Sequence, residues 1–154
     1  MAKTVIITGA SAGIGAACAR LFATKGYNLS LVARNEEKLA SVKIKCQENG
    51  ANSVLAISQD LSKTNELGSI VDKTVSQFGT IDVLINNAGT MKPGGLEDQT
   101  LADFDFVMAV NCKVYRIFGV TNNFLSGGRS SRSYGPPKNP TPARNLYLFR
   151  LLFF

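Results

Sequence analysis

The chain has 154 residues, enough for one domain with a core of its own and too few for two. Its 45% hydrophobic content is ordinary for a globular protein. The net charge of +6 does not point to a nucleic-acid groove: all 11 acidic residues lie at or before Asp105, whereas Arg129, Arg132, Lys138, Arg144 and Arg150 stand in an acid-free tail.

The opening stretch, Thr4-Val-Ile-Ile-Thr-Gly-Ala-Ser-Ala-Gly-Ile-Gly15, reads as a short buried strand, a tight turn and the start of a helix. Glycines at 9, 13 and 15 suit a turn, a close approach of the backbone to a pyrophosphate, and the packing of helix on strand. Amides at the helix start would then face the phosphates. Ile14, Cys18, Leu21, Phe22 and Lys25 follow at helical spacing and predict the helix stripe, with Gly26 at its end. Tyr27 to Ala33 predicts a second strand. Asn35 is placed as an N-cap, Glu36 and Glu37 occupy the first turn, and Leu39, Val42 and Cys46 form the buried face of a second helix ending at Gly50.

A third strand is expected over Ser53 to Ser58, closing at Gln59-Asp60. A third helix is expected from about Thr64 to Phe78, with Leu67, Ile70, Val71, Thr74 and Phe78 inward and Gly79 behind it. The nearly all-apolar Ile81 to Ile85 predicts a fourth strand covered on both faces. Thr100 to Asp103 reads as a capping box, and Leu101, Phe104, Met108, Asn111, Tyr115 and Phe118 continue one stripe with an asparagine on its seam.

This alternation predicts an α/β fold, a Rossmann-like doubly wound parallel sheet of strand order 3-2-1-4, with ligand at the carboxyl ends where the order reverses. Residues 1–125 are expected to form the dinucleotide-binding domain. Residues 126–154, with four of the chain's five prolines between 136 and 142, are expected to be an irregular or disordered basic tail whose last ten residues are long enough for a strand, a makeshift fifth one beside strand four being the alternative to an open edge. The three cysteines form no C-x-x-C pair and there is no histidine, so a disulfide frame, a zinc site and histidine triads are not indicated. Without a signal peptide or a membrane-length apolar run, the expected location is cytoplasmic.

Four pieces, Thr8-Gly-Ala-Ser-Ala-Gly-Ile-Gly15, Asp60-Leu61, Asn86-Asn-Ala-Gly89 and Asn111, occur in an order and spacing that resemble the short-chain dehydrogenase/reductase family. The resemblance covers about residues 3–123. It implies that the backbone around Gly9, Ser11, Gly13, Ile14 and Gly15 holds the cofactor's phosphates and nicotinamide side. It implies that Asp60 accepts a hydrogen bond from the adenine amino group beside the Leu61 amide, although a strand-end or capping role would also account for Asp60. Asn87, Ala88 and Gly89 would line the adenosine ribose and brace the fourth strand. Asn111 would be the asparagine of the catalytic tetrad, bending its helix and holding a water of the proton relay; a helix junction or a satisfied core amide is the alternative.

An NAD enzyme usually ends its second strand in a carboxylate that binds the ribose 2′-hydroxyl. Here Ala33 stands there and Arg34 follows, and a guanidinium suits a 2′-phosphate. NADP(H) is therefore favoured over NAD(H), a solvated surface arginine being the alternative.

The resemblance also implies a serine near residue 137 and a tyrosine with a lysine four residues on near 150, where Pro137 and Arg150 stand instead. Tyr134 and Lys138 have the right mutual spacing, but Gly135-Pro136-Pro137 between them cannot be the middle of a helix, and the string is read as coincidence. The expected function is thus hydride transfer between NADP(H) and a small carbonyl or secondary alcohol, in a truncated or frame-shifted form with doubtful turnover, poor stability and an open edge at strand four. A non-catalytic module that binds cofactor or pairs with a full-length homologue, and a truncation product without function, remain alternatives; homo-oligomerisation is left open, and neither nucleic acid nor a bound metal is expected.

Overall fold

The computed structural model describes residues 2–113 and 147–150. Among the described residues, five parallel strands form one sheet in the order β3-β2-β1-β4-β5: β1 (Thr4–Thr8), β2 (Asn28–Ala33), β3 (Ser53–Ser58), β4 (Val83–Asn86) and β5 (Tyr147–Arg150). Helices α1 (Gly13–Ala23), α2 (Glu36–Glu48) and α3 (Gly68–Phe78) provide the crossovers, and α4 (Leu101–Met108) follows β4. The order 3-2-1-4 is the one expected.

Strand alternation divides the core between the two sheet faces. Val5, Ile7, Leu29, Leu31, Val83 and Ile85 pack with α1 and α2, while Ile6, Val32, Ile57 and Leu84 pack with Leu67, Ile70 and Val71 of α3 and the residue before it. Because both faces are covered, every residue of β1, β2 and β4 is buried. The hydroxyls buried among them are paired: Thr74 donates to the Ile70 carbonyl at 2.7 Å, leaving Ser30 to donate to Thr74 at 2.8 Å.

Helix α1 departs from the predicted stripe. Its buried residues are Gly15, Ala16, Ala19 and Ala23, whereas Ile14 and Leu21 are 43% and 57% exposed; Cys18 and Phe22 only flank the core. Small side chains let this helix lie close on the sheet, so the face selected by packing is not the most hydrophobic one. The second helix matches its reading: the Asn35 side chain accepts from the Lys38 amide at 2.8 Å, and Leu39, Val42 and Cys46 are buried. The third is interrupted. Thr64–Glu66 is a 3-10 turn and the α-helix begins only at Gly68, with Leu67 buried at the joint and Gly79 closing the far end at φ 79°.

The fourth strand is displaced towards its carboxyl end, to Val83–Asn86, and its edge is not open. Val83 to Asn86 pair residue by residue with Tyr147 to Arg150 of β5. Within the tail expected to be irregular, residues 147–150 are therefore a strand. The rest of the tail, Tyr134 and Lys138 included, lies outside the described residues, as do Tyr115 and Phe118 of the predicted stripe. Helix α4 carries the expected capping box between Thr100 and Asp103, but none of its residues is buried, and Leu101 and Phe104 are exposed. At Ala109–Lys113 it opens into a π-helical turn that includes Asn111. No helix among the described residues is long and apolar enough to cross a membrane.

Candidate functional site

The carboxyl ends of β1, β2, β3 and β4 bring four separate sequence features to one edge of the sheet. After β1 the chain turns at Gly9 (φ 66°), and α1 begins at Gly13 (φ 54°). A β-carbon at Gly9 would lie 2.8 Å from Asn87 Nδ2 and 2.9 Å from Ala88 Cα, so the turn is pressed against the segment after β4. At Gly15 it would meet the Gly9 carbonyl oxygen and come within 2.5 Å of Asn87 Nδ2. Gly13 differs: nothing lies within 4 Å of its would-be β-carbon. Two glycines thus serve internal packing, and the third faces open space.

Next to that space, the first amides of α1 have no intrahelical acceptor by the geometry of a helix start. The N-cap, Ala12, offers no side chain to them, and the first turn holds no acid, in contrast to α2 with Glu36 and Glu37. The arrangement leaves donors and a positive dipole end for an anion. Ser11 is half-buried in the same turn, and Ile14 projects its exposed side chain from the first helical turn.

The turn is held by Thr8 and Asn87. Thr8 Oγ1, fully buried, accepts from the backbone amides of Asn87 at 3.1 Å and Ala88 at 3.0 Å and donates to the Ile85 carbonyl at 3.4 Å. Asn87 Nδ2 returns hydrogen bonds to the carbonyls of Thr8 at 3.0 Å and Gly9 at 3.2 Å. Together these bonds staple β1 to β4 at their carboxyl ends. Asn86, one residue earlier, is 8% exposed, and both polar atoms of its amide lack a partner among the described residues. On the ladder it lies beside Arg150 of β5.

Asp60, after β3, accepts from the Ser62 amide and hydroxyl at 2.9 Å each. The Ser62 amide is the main cause holding its carboxyl below the usual carboxylate range; partial burial opposes this, and the Ser62 hydroxyl and the charges of Arg34 and Lys63 add to it. Asp60 therefore does cap a turn, through Oδ1, and stays an ionised acceptor. The Leu61 side chain is buried in the α3-side core. Arg34 follows β2 with an exposed side chain, its carbonyl accepting from Ser58 Oγ at 3.3 Å.

Asn111 spends its side chain on Thr90. Its Oδ1 accepts from the Thr90 amide and its Nδ2 donates to the Thr90 carbonyl, each at 2.8 Å. The π-helical turn is thereby tied to the strand-four loop next to Gly89. Two residues on, Lys92 bridges to Asp103 at 2.7 Å, and its carbonyl accepts from Gln99. Gly9, Ser11, Gly13, Ile14, Gly15, Arg34, Asp60, Leu61, Asn87, Ala88 and Gly89 thus stand along one edge of the sheet, with Asn111 behind it. Thr8, Ser58 and Thr90 also organise this edge, and sequence reading assigned them no part. Their partners lie 21 to 80 residues away in the chain; Thr8 opens the glycine motif, but nothing local marks its partners or singles out Ser58 and Thr90.

Comparison with known proteins agrees with this fold. The model of a family described as short chain dehydrogenase matches residues 3–126. The chain is 46% identical over 87 residues to an 11-beta-hydroxysteroid dehydrogenase of Pinus massoniana, a match covering 56% of this chain and 24% of the relative. A metagenomic short-chain oxidoreductase solved in complex with NADP superposes with a TM-score of 0.75 at 31% identity, covering 82% of this chain and 58% of that one. A short-chain dehydrogenase from Sphingobium yanoikuyae in complex with NADPH gives 0.71 at 32% identity, covering 82% and 50%. The chain therefore spans about a quarter of the length of that first curated relative and roughly half of each solved neighbour.

Proposed function

This chain belongs to the short-chain dehydrogenase family, and on that footing we propose that it binds NADP(H) at the carboxyl edge of its sheet, as the cofactor half of a reductase acting on a carbonyl or secondary alcohol. The observation that carries this reading is the contrast among the three glycines. Gly9 and Gly15 are packed from within, whereas Gly13 leaves uncovered the ground before the free amides of α1. A dinucleotide diphosphate fits that cradle in charge, in donors and in clearance.

When bound, the cofactor supplies a hydride donor or acceptor at its nicotinamide. The residues of this chain hold and orient it. The α1 amides at Gly13, Ile14 and Gly15 neutralise the diphosphate, and Asp60, kept ionised, accepts from the adenine amino group. Arg34 stands at the end of β2, where a ribose 2′-phosphate would arrive, and its guanidinium pairs with that dianion through charge-assisted bonds. Asn111 fixes Thr90, and through it the Asn87–Gly89 segment that borders the ribose.

Turnover needs a proton donor as well as a hydride. Asn111 alone does not supply it, and no tyrosine with a lysine four residues on stands where the family places one. A cofactor-binding module without turnover is accordingly the second reading. NADPH and NADH affinities, measured by titration calorimetry on the parent and on Arg34→Ala, test the cofactor assignment. The parent is expected to prefer NADPH, and Arg34→Ala to weaken NADPH at least about tenfold, the worth of one charged hydrogen bond, while sparing NADH. Equal affinities in the parent would refute it.

A further inference from the structure

We propose that Ser58 is a positioning residue for cofactor choice: its hydroxyl fixes the peptide that carries Arg34 and so sets the preference for NADPH over NADH. The inference rests on the NADP(H) reading given above and deepens it. Arg34 and Asn35 are the whole connection between β2 and α2. That connection is held on both sides of Arg34. The Gln59 amide donates to the Ala33 carbonyl at 3.0 Å, and the Asn35 side chain and carbonyl accept from the amides of Lys38 at 2.8 Å and Leu39 at 3.1 Å.

Between these anchors the Arg34 carbonyl would be left to solvent but for Ser58. Ser58 lies directly opposite Ala33 on the β2–β3 ladder, and its Oγ donates to the Arg34 carbonyl at 3.3 Å. Here the backbone is pinned while the guanidinium remains exposed. Holding the peptide from which the arginine springs limits where its guanidinium can reach, without occupying any of its donors. The side-chain bond of Ser58 goes to the Arg34 peptide, so its effect is expected chiefly on the group that differs between the two cofactors.

The contact is long for a hydroxyl-to-carbonyl bond, so the expected effect is at the small end for one neutral hydrogen bond, about threefold in affinity. The test is calorimetric titration of the full chain with NADPH and with NADH, for the parent, Ser58→Ala and Ser58→Thr. Ser58→Ala is expected to lower the NADPH-to-NADH affinity ratio about threefold through NADPH alone, and Ser58→Thr, which keeps the hydroxyl, to restore it. A parent that prefers NADPH, with Ser58→Ala leaving the ratio unmoved or weakening both cofactors equally, overturns the role of Ser58 and leaves the cofactor reading standing. A parent without preference overturns the cofactor reading, and this inference with it.

Discussion

Thr8→Val removes one oxygen from a fully buried position while nearly conserving shape, and that oxygen is the acceptor for two amides. Without it the backbone donors of Asn87 and Ala88 lose bonds of 3.1 and 3.0 Å. A buried donor left unsatisfied costs about 1–3 kcal/mol. Both amides are only partly buried, so the lower part of that range applies to each, and the variant is expected to lose about 2–4 kcal/mol. The bond donated to Ile85, at 3.4 Å, adds little. Thr8→Ser is the control, since it keeps the hydroxyl and deletes one buried methyl, worth about 1 kcal/mol. Urea denaturation followed by circular dichroism reads the difference. With a slope of about 1–2 kcal/mol per molar, the midpoint of Thr8→Val should fall by about 1–4 M and that of Thr8→Ser by about 1 M or less. If the serine variant is as unstable as the valine one, the hydroxyl is not what staples β1 to β4, and the description of the turn fails.

Asn111→Ala breaks both bonds to Thr90 and is expected to cost about 1–3 kcal/mol, with faster hydrogen exchange at the Thr90 amide; an unchanged exchange rate there would contradict the clamp. Gly15→Ala sets a β-carbon against the Gly9 carbonyl and should destabilise the fold by at least about 2 kcal/mol. Gly13→Ala has room in the fold, so only its positive φ is penalised, by about 1–2 kcal/mol, yet it should weaken dinucleotide binding; thermal melts and titrations of the two variants separate these effects. Asp103 is held at about 2, below the ordinary 3.8, first by Lys92 and then by the Thr100 hydroxyl and amide. Because the folded value is depressed, its contribution is complete above about pH 4 and is lost as the pH falls towards 2. The melting-temperature gap between the parent and Asp103→Asn should close over that window; a constant gap would count against the Lys92–Asp103 latch.

What could be read from residues alone was whatever is encoded locally. The strand-turn-helix at Thr4–Gly15, the Asn35 cap, the Leu39–Val42–Cys46 face and the Thr100–Asp103 box each lie within a few residues, and each appears as read. Helix α1 was misread because periodicity weights large apolar side chains, whereas contact with the sheet selects Gly15, Ala16, Ala19 and Ala23 for their small size. The third helix was drawn through Thr64–Glu66 because Leu67 and Ile70 keep helical spacing across a joint. Gly68, a weak helix former, is where the α-helix begins. The pairing of β4 with β5 joins residues more than sixty positions apart, and no pattern within Tyr147–Arg150 names its partner. At the site, the glycines, Asp60 and Asn87 announce themselves by motif. The roles of Thr8, Ser58 and Thr90 rest on tertiary hydrogen bonds and become visible only when the strand ends are brought together.

The most direct test of a diphosphate seat at the start of α1 is a two-dimensional amide NMR titration of the labelled chain with NADPH. The amides of Gly13, Ile14 and Gly15 are expected to shift saturably, together with Asp60 and Ala88, while Gly26, Gly50 and Gly79, which cap helix ends away from this edge, stay in place. No saturable change at Gly13 to Gly15, or changes confined to other parts of the chain, would contradict it.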